Sequence, residues 1–247
     1  MNRAAAALVA TLAVVAHAPP PAAAINPGLD DQIRISDVTY VAQESATSAR
    51  WPDPVPHTLL GEEHARVTCL LRGRRACPDD AVGASVLPIG TAIHRVNGYR
   101  PAFRLAARRD CEIVLYEAWE NRRATRGGDL YDLAGNVVAI EIIREDRSTT
   151  SALRKSFSNP DGARVEDPRA VEKLVDLILA APTVPRDDRR ASNPRLRYWL
   201  TFHFRDGTAT GRAYDPESGQ LARSLTLPAE FRAIVEDAVN FAEPKPR

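Results

Sequence analysis

The stretch from Gly90 to Glu145 decides the fold: GTAIHRVNGYRPAFRLAARRDCEIVLYEAWENRRATRGGDLYDLAGNVVAIEIIRE. Ala92–Val96 and Phe103–Arg108 are short runs on either side of Asn97-Gly98-Tyr99-Arg100-Pro101, where Asn-Gly and a proline turn the chain. Phe103, Leu105 and Ala107 alternate with Arg104, Ala106 and Arg108, the period of a half-buried strand with its arginines outward. Arg109-Asp110 then reads as a tight turn into Glu112–Glu117, where Ile113 and Leu115 share a face, so the simplest arrangement is a hairpin. A further run, Val137–Ile143, is rich in β-branched residues and follows Gly135-Asn136, another turn signal.

Downstream, Asp167 is suited to an N-cap and Pro168 to the first helical position. Val171, Leu174, Val175, Ile178 and Leu179 then form one apolar stripe, and Pro182 stops the helix. Arg195–Arg205 is the strongest strand, with Tyr198, Leu200, Phe202 and Phe204 on one face. Asp206-Gly207 turns it into a return strand, Thr208–Tyr214, and another turn leads to Leu221–Leu225. Pro228 opens a second amphipathic helix carrying Phe231, Ile234, Val235, Ala238 and Val239. Upstream, one strand is read at Ile33–Val41 and another at Val67–Leu71. Strands that come mainly as hairpins, with two helices, predict an α+β fold: an antiparallel sheet built from hairpins with both helices on one face.

The N-terminus has the order of an export signal: Arg3, an apolar run Ala4–Ala16, then small residues and prolines ending at Ala22-Ala23-Ala24. Cleavage after Ala24 is expected, and the apolar run is shorter than the roughly 17–25 residues of a membrane span. Only Lys155, Lys173 and Lys245 are lysines among 33 basic residues, which points to a GC-rich, bacterial genome. The divisions expected are a signal peptide at 1–24, an N-terminal arm with a disulfide-pinned segment at 25–88, an α+β domain at 89–242 and a tail at 243–247. The 33 basic and 32 acidic residues nearly cancel, so charge makes no case for a nucleic-acid partner.

Cys69, Cys77 and Cys111 meet an oxidising environment after export. Three pairings are possible, and spacing alone does not choose among them. The expected bridge is Cys69–Cys77, which closes the short loop, with Cys111 left as the odd thiol at the hairpin turn.

The segments Val96-Asn97-Gly98-Tyr99-Arg100-Pro101-Ala102-Phe103-Arg104-Leu105-Ala106, Leu115-Tyr116-Glu117-Ala118, and Gly128-Asp129-Leu130-Tyr131-Asp132-Leu133-Ala134-Gly135, with the helix into Ala180-Ala181-Pro182, carry a resemblance. Over residues 90–240 the chain resembles uncharacterised secreted or lipoprotein-type proteins of Gram-positive bacteria. That resemblance implies no particular activity. The chain departs from it in lacking a lipid-anchor cysteine and in adding Cys69, Cys77 and the arm.

Motifs for chemistry are sparse. The sequence has no G-x-S-x-G elbow, P-loop, G-x-G-x-x-G or H-E-x-x-H, so no cofactor and no metal site are expected. Candidate site residues concentrate between Ala118 and Ala134, a loop between two strands. There Trp119, Glu120, Arg123, Arg126, Asp129, Tyr131 and Asp132 combine interface-type aromatics and arginines with carboxylates. Gly127-Gly128 would let a ligand approach the backbone. Glu117 and Glu120, or Asp129 and Asp132, would supply a hydrolase pair if they converged, whereas simple capping of a helical turn is the competing account of Asp129 and Asp132. The leading expectation is a secreted, non-enzymatic protein that binds an envelope component or another protein through Trp119 and Arg123, with no membrane span after cleavage. The alternatives are a secreted hydrolase using these carboxylates and an inhibitor-like module presenting hairpin loops.

Overall fold

Turn residues set the strand order. In this computed structural model, which describes residues 31–43, 55–71, 77–146, 162–185 and 196–242, β1 (Gln32–Ile35) folds onto β2 (Val38–Ala42) through Ser36-Asp37, with Ser36 at φ 51°. A single strand was expected here, and the left-handed Ser36 is what breaks it in two. A turn of 3-10 helix at His57–Leu59 leads into β3 (Leu60–Arg66), followed by β4 (Cys69–Leu70), β5 (Gly83–Ala84) and β6 (Ala92–Val96). β7 (Arg104–Arg109) and β8 (Glu112–Asn121) form the expected hairpin. Its two turn residues, Asp110 and Cys111, both have positive φ, 47° and 73°, the backbone of a type I′ turn.

These eight strands form one sheet in the order β3-β6-β7-β8-β2-β1-β5-β4, antiparallel except for the β4–β5 pair. β3 and β4 stand at opposite ends of that order, yet only Val67 and Thr68 separate them in the chain. The sheet therefore has to curl until its two edges meet. Inside the curl lies one apolar cluster, with Ile33, Tyr40, Val67, Ile93, Leu105 and Tyr116 among its members. The outer edge of β3 carries Glu62, Glu63, His64 and Arg66 and is broken by two register shifts, features that discourage pairing with a further strand. β1 and β2, from the segment expected as an N-terminal arm, sit between β8 and β5 inside this sheet.

The second sheet has the order β10-β9-β11-β12-β13-β14, all antiparallel. Its strands are β9 (Val137–Asp146), β10 (Ala163–Val165), β11 (Leu196–Phe204), β12 (Ala209–Asp215), β13 (Gln220–Leu221) and β14 (Leu225–Thr226). Three helices are described: the single turn α1 (Gly127–Leu130), α2 (Pro168–Ala180) and α3 (Ala229–Ala242). The Asp167 carboxylate accepts from Ala170 N at 2.9 Å, so the expected cap is formed. Leu174 and Ile178 of α2, Phe231 and Val235 of α3, and Leu200 and Phe202 of β11 share one core.

The fold is thus a mostly antiparallel α+β arrangement, but the single hairpin sheet with two helices needs correction. A large curled sheet stands beside the helix-packed one. The expectation missed it because it puts the strands read at Ile33–Val41 and Val67–Leu71 in an arm and a disulfide-pinned segment, and β5 is too short for an alternating pattern to register. Among the described residues no helix is long and apolar enough to cross a membrane. The signal segment, the Asn159-Pro160-Asp161 turn and the tail from Glu243 lie outside the described residues.

Cys69 and Cys77 are disulfide-bonded, with Cα atoms 6.0 Å apart, and Cys111 is free and exposed. The bridge pins β4 beside β5, where Cys77 also accepts a 2.9 Å hydrogen bond from the Arg34 guanidinium at its carbonyl. Titration with a thiol reagent without reductant should find one thiol per chain before and after denaturation, because Cys111 needs no unfolding to react. Two or more thiols, or a mapped peptide joining Cys111 to either partner, would contradict the pairing.

Candidate functional site

The hairpin register places Arg104 opposite Glu117. Both were expected at a solvated surface or loop edge, but both are fully buried. The reason is the second sheet. Across the Asp206-Gly207 turn, Thr210 pairs with Phe202 and Arg212 with Leu200, so two polar side chains share the apolar face of that sheet. They meet the outer face of β7 and β8. Glu117 Oε1 accepts from Arg104 Nε at 3.1 Å and Nη2 at 2.5 Å, while its Oε2 accepts from Arg212 Nη2 at 2.8 Å and Thr210 Oγ1 at 2.5 Å. Arg104 also donates to Thr208 Oγ1 at 2.9 Å and lies 3.7 Å from Asp206. Its guanidinium is stacked 4.5 Å from the Tyr99 ring centre and 4.3 Å from that of Phe204.

Burial alone would push the Glu117 carboxyl up. The flanking Arg104 and Arg212 guanidiniums and the Thr210 hydroxyl outweigh that and hold it below the usual carboxylate range. Two guanidiniums against Glu117 and the nearby Asp206 leave the cluster close to neutral. Its geometry is that of a clamp between the sheets, and with no exposed surface Glu117 cannot reach a substrate.

The other carboxylates are also committed. Asp129 caps α1: its Oδ2 accepts from Thr125 N at 2.9 Å and Arg126 N at 3.1 Å, and these bonds lower its pKa. Asp132 accepts from Arg100 N at 2.8 Å and pairs with the Arg100 guanidinium at 3.3 Å. Glu120 faces Thr39 of β2 and is half-buried. Among the described residues no group of three or more His, Cys, Asp or Glu side chains is arranged to hold a metal ion.

The 118–134 segment is less of a loop than its sequence suggests. Residues 118–121 continue β8, and 127–130 form α1. Tyr131 is 5% exposed, edge-on to Phe103 and beneath Arg212, so it belongs to the core. Gly127 serves packing: its N–H donates to Ala181 O at 2.8 Å, and a Cβ there would lie 1.9 Å from Ile178 O. Since that contact is to backbone, α1 would have to move off the end of α2. Gly127→Ala should therefore lower stability by about 1–3 kcal/mol; an unchanged denaturant midpoint would show that the α1–α2 contact carries no weight.

Trp119 is the exception. In the β2–β8 ladder Thr39 faces Glu120 and Tyr40 faces Ala118, so Trp119 is the unpaired residue of a β-bulge. Bulges re-aim side chains, and this indole is 50% exposed. It is the one aromatic in the exposed class among residues whose side chains are described. Arg123, four residues further on, is held at 2.6 Å by Asp37 of the β1–β2 turn, and Arg126 reaches Asp129 at 3.8 Å.

A second bulge lies at the start of β9. Phe204 faces Val137 and His203 faces Ala139, leaving Val138 unpaired and 43% exposed. It borders a groove of about 420 Å³ between β9 and α2, with Val137, Val171 and Val175 lining it and Glu172, Asp176 and Arg205 at its rim. No signal in the sequence had marked this groove.

Neither protein-family models, nor curated proteins, nor solved structures gave a match to this chain. The residues themselves therefore carry the functional reading. They divide into a buried polar clamp, a capped helical turn, and an indole turned outward beside fixed arginines.

Proposed function

We propose that this is a secreted binding protein without catalytic activity of its own, whose contact surface is centred on Trp119 and Arg123. The observation that carries the reading is the bulge that turns the indole outward at the end of a strand whose neighbouring aromatic, Tyr116, is fully buried. Tryptophan and arginine, with tyrosine, are enriched among the few residues that dominate binding energy at protein interfaces. A β-strand holds Trp119 and a 2.6 Å ion pair holds Arg123, so little ordering cost remains on binding. The partner is a protein or an envelope component. Export is supported by the signal-like order of residues 1–24 and by the Cys69–Cys77 bridge, which suits an oxidising compartment. Against the hydrolase reading stand the enclosure of Glu117 and the capping role of Asp129.

Affinity capture from envelope extracts tests it. The chain should retain a defined partner that Trp119→Ala and Arg123→Ala each lose, while Ile89→Ala, which truncates a side chain 61% exposed elsewhere, keeps it. Equal retention by all four chains would refute the assignment of the surface.

A further inference from the structure

We propose that the groove between α2 and β9 receives Trp119 from a second copy of this chain. The inference rests on the reading of Trp119 as a binding surface and names its partner. Two unconnected features are complementary in kind. Trp119 is an apolar knob raised by one bulge, and the groove beside Val138 is an apolar recess shaped by another. At about 420 Å³ the recess is larger than a single indole.

The charges match as well. Arg122, next to the knob, is exposed and makes no ion pair among the described residues, while Arg123 and Arg126 are paired with Asp37 and Asp129. Glu172 and Asp176 stand one helical turn apart on the α2 rim, both exposed and both without an ion pair among the described residues. Arg205 also stands at that rim, so the recess offers the Arg122 cation two carboxylates against one guanidinium, a net charge of opposite sign. Burying the indole would also cover Val138, one of three large apolar side chains that stand exposed among the described residues. The two patches differ, so two copies that exchange knobs form a closed, isologous pair, whereas a one-way contact is heterologous and extends into a ring or filament.

Sedimentation velocity on the purified chain over a wide concentration range tests this. The weight-average mass should rise with concentration. Trp119→Ala and Val138→Asp should each stay monomeric, and Arg122→Glu should weaken association. Mixing Trp119→Ala with Val138→Asp should restore a heterodimer, because the intact indole of one meets the intact groove of the other. A constant monomer mass for the unaltered chain, or a mixture that stays monomeric, would overturn the proposal. A monomeric chain that still captures an envelope partner through Trp119 would overturn only the self-association; loss of both would remove the surface itself.

Discussion

Replacing Glu117 by Gln should destabilise the chain by about 3–5 kcal/mol, the scale seen when one partner of a buried ion pair is removed. The side chain is fully buried and shared by two guanidiniums, Arg104 and Arg212, the latter 3% exposed. Without the carboxylate, two buried cations would be left with Asp206 nearby, the Thr208 and Thr210 hydroxyls and the Gly211 carbonyl. The loss should be far smaller in a triple variant in which Arg104, Glu117 and Arg212 all become apolar residues of similar volume, because an ion cluster replaced whole leaves no orphaned charge. Denaturant unfolding of both variants measures this. A single Gln variant with an unchanged midpoint would mean that the clamp contributes nothing.

The same cluster sets a pH dependence. The Glu117 carboxyl is held below its ordinary value of 4.5, so its contribution is fully present above that value. It is lost as pH falls through the lowered folded value, when the unfolded chain binds the proton more readily. The stability difference between the unaltered chain and Glu117→Gln should therefore be constant near neutrality and shrink in acid. A difference that grew in acid would reverse the assigned sign.

Phe202→Ala should cost about 3–5 kcal/mol. Phe202 is 2% exposed on the face of β11 that meets α2 and α3, in one core with Leu174, Ile178 and Leu200. Truncation there opens a cavity between two sheet strands and two helices, none of which can close it without leaving its own partners. If thermal unfolding of Phe202→Ala matched that of the unaltered chain, the buried face of β11 would have been assigned the wrong way round.

The helix-packed half was legible because its elements are long and their periods clean. Asp167-Pro168 announced α2, and Tyr198, Leu200, Phe202 and Phe204 announced the buried face of β11. The curled sheet was not legible: a strand is read at Val67–Leu71, but its pairing with the two-residue β5, and that of β5 with the distant β1, left no pattern in the sequence. Arg104 was misplaced for a related reason. Alternation along β7 says which residues share a face, but it cannot say that both faces are covered. The return strand did hold the missing signal: pairing across Asp206-Gly207 puts Thr210 and Arg212 among aromatic side chains, where polar groups need partners. For the candidate site, the sequence singled out Trp119 and Arg123 by residue type and position. It also grouped them with Tyr131 and Asp129, which the fold uses for packing and capping.

If Trp119 is presented to a partner, the chain does not need it to fold. The most direct measurement is the unfolding free energy of Trp119→Ala beside that of the unaltered chain. The bulged, half-exposed indole predicts a change within about 0.5 kcal/mol, the range of surface substitutions. A loss of about 3 kcal/mol or more, the scale of a truncated core aromatic, would make Trp119 a packing residue and contradict the claim.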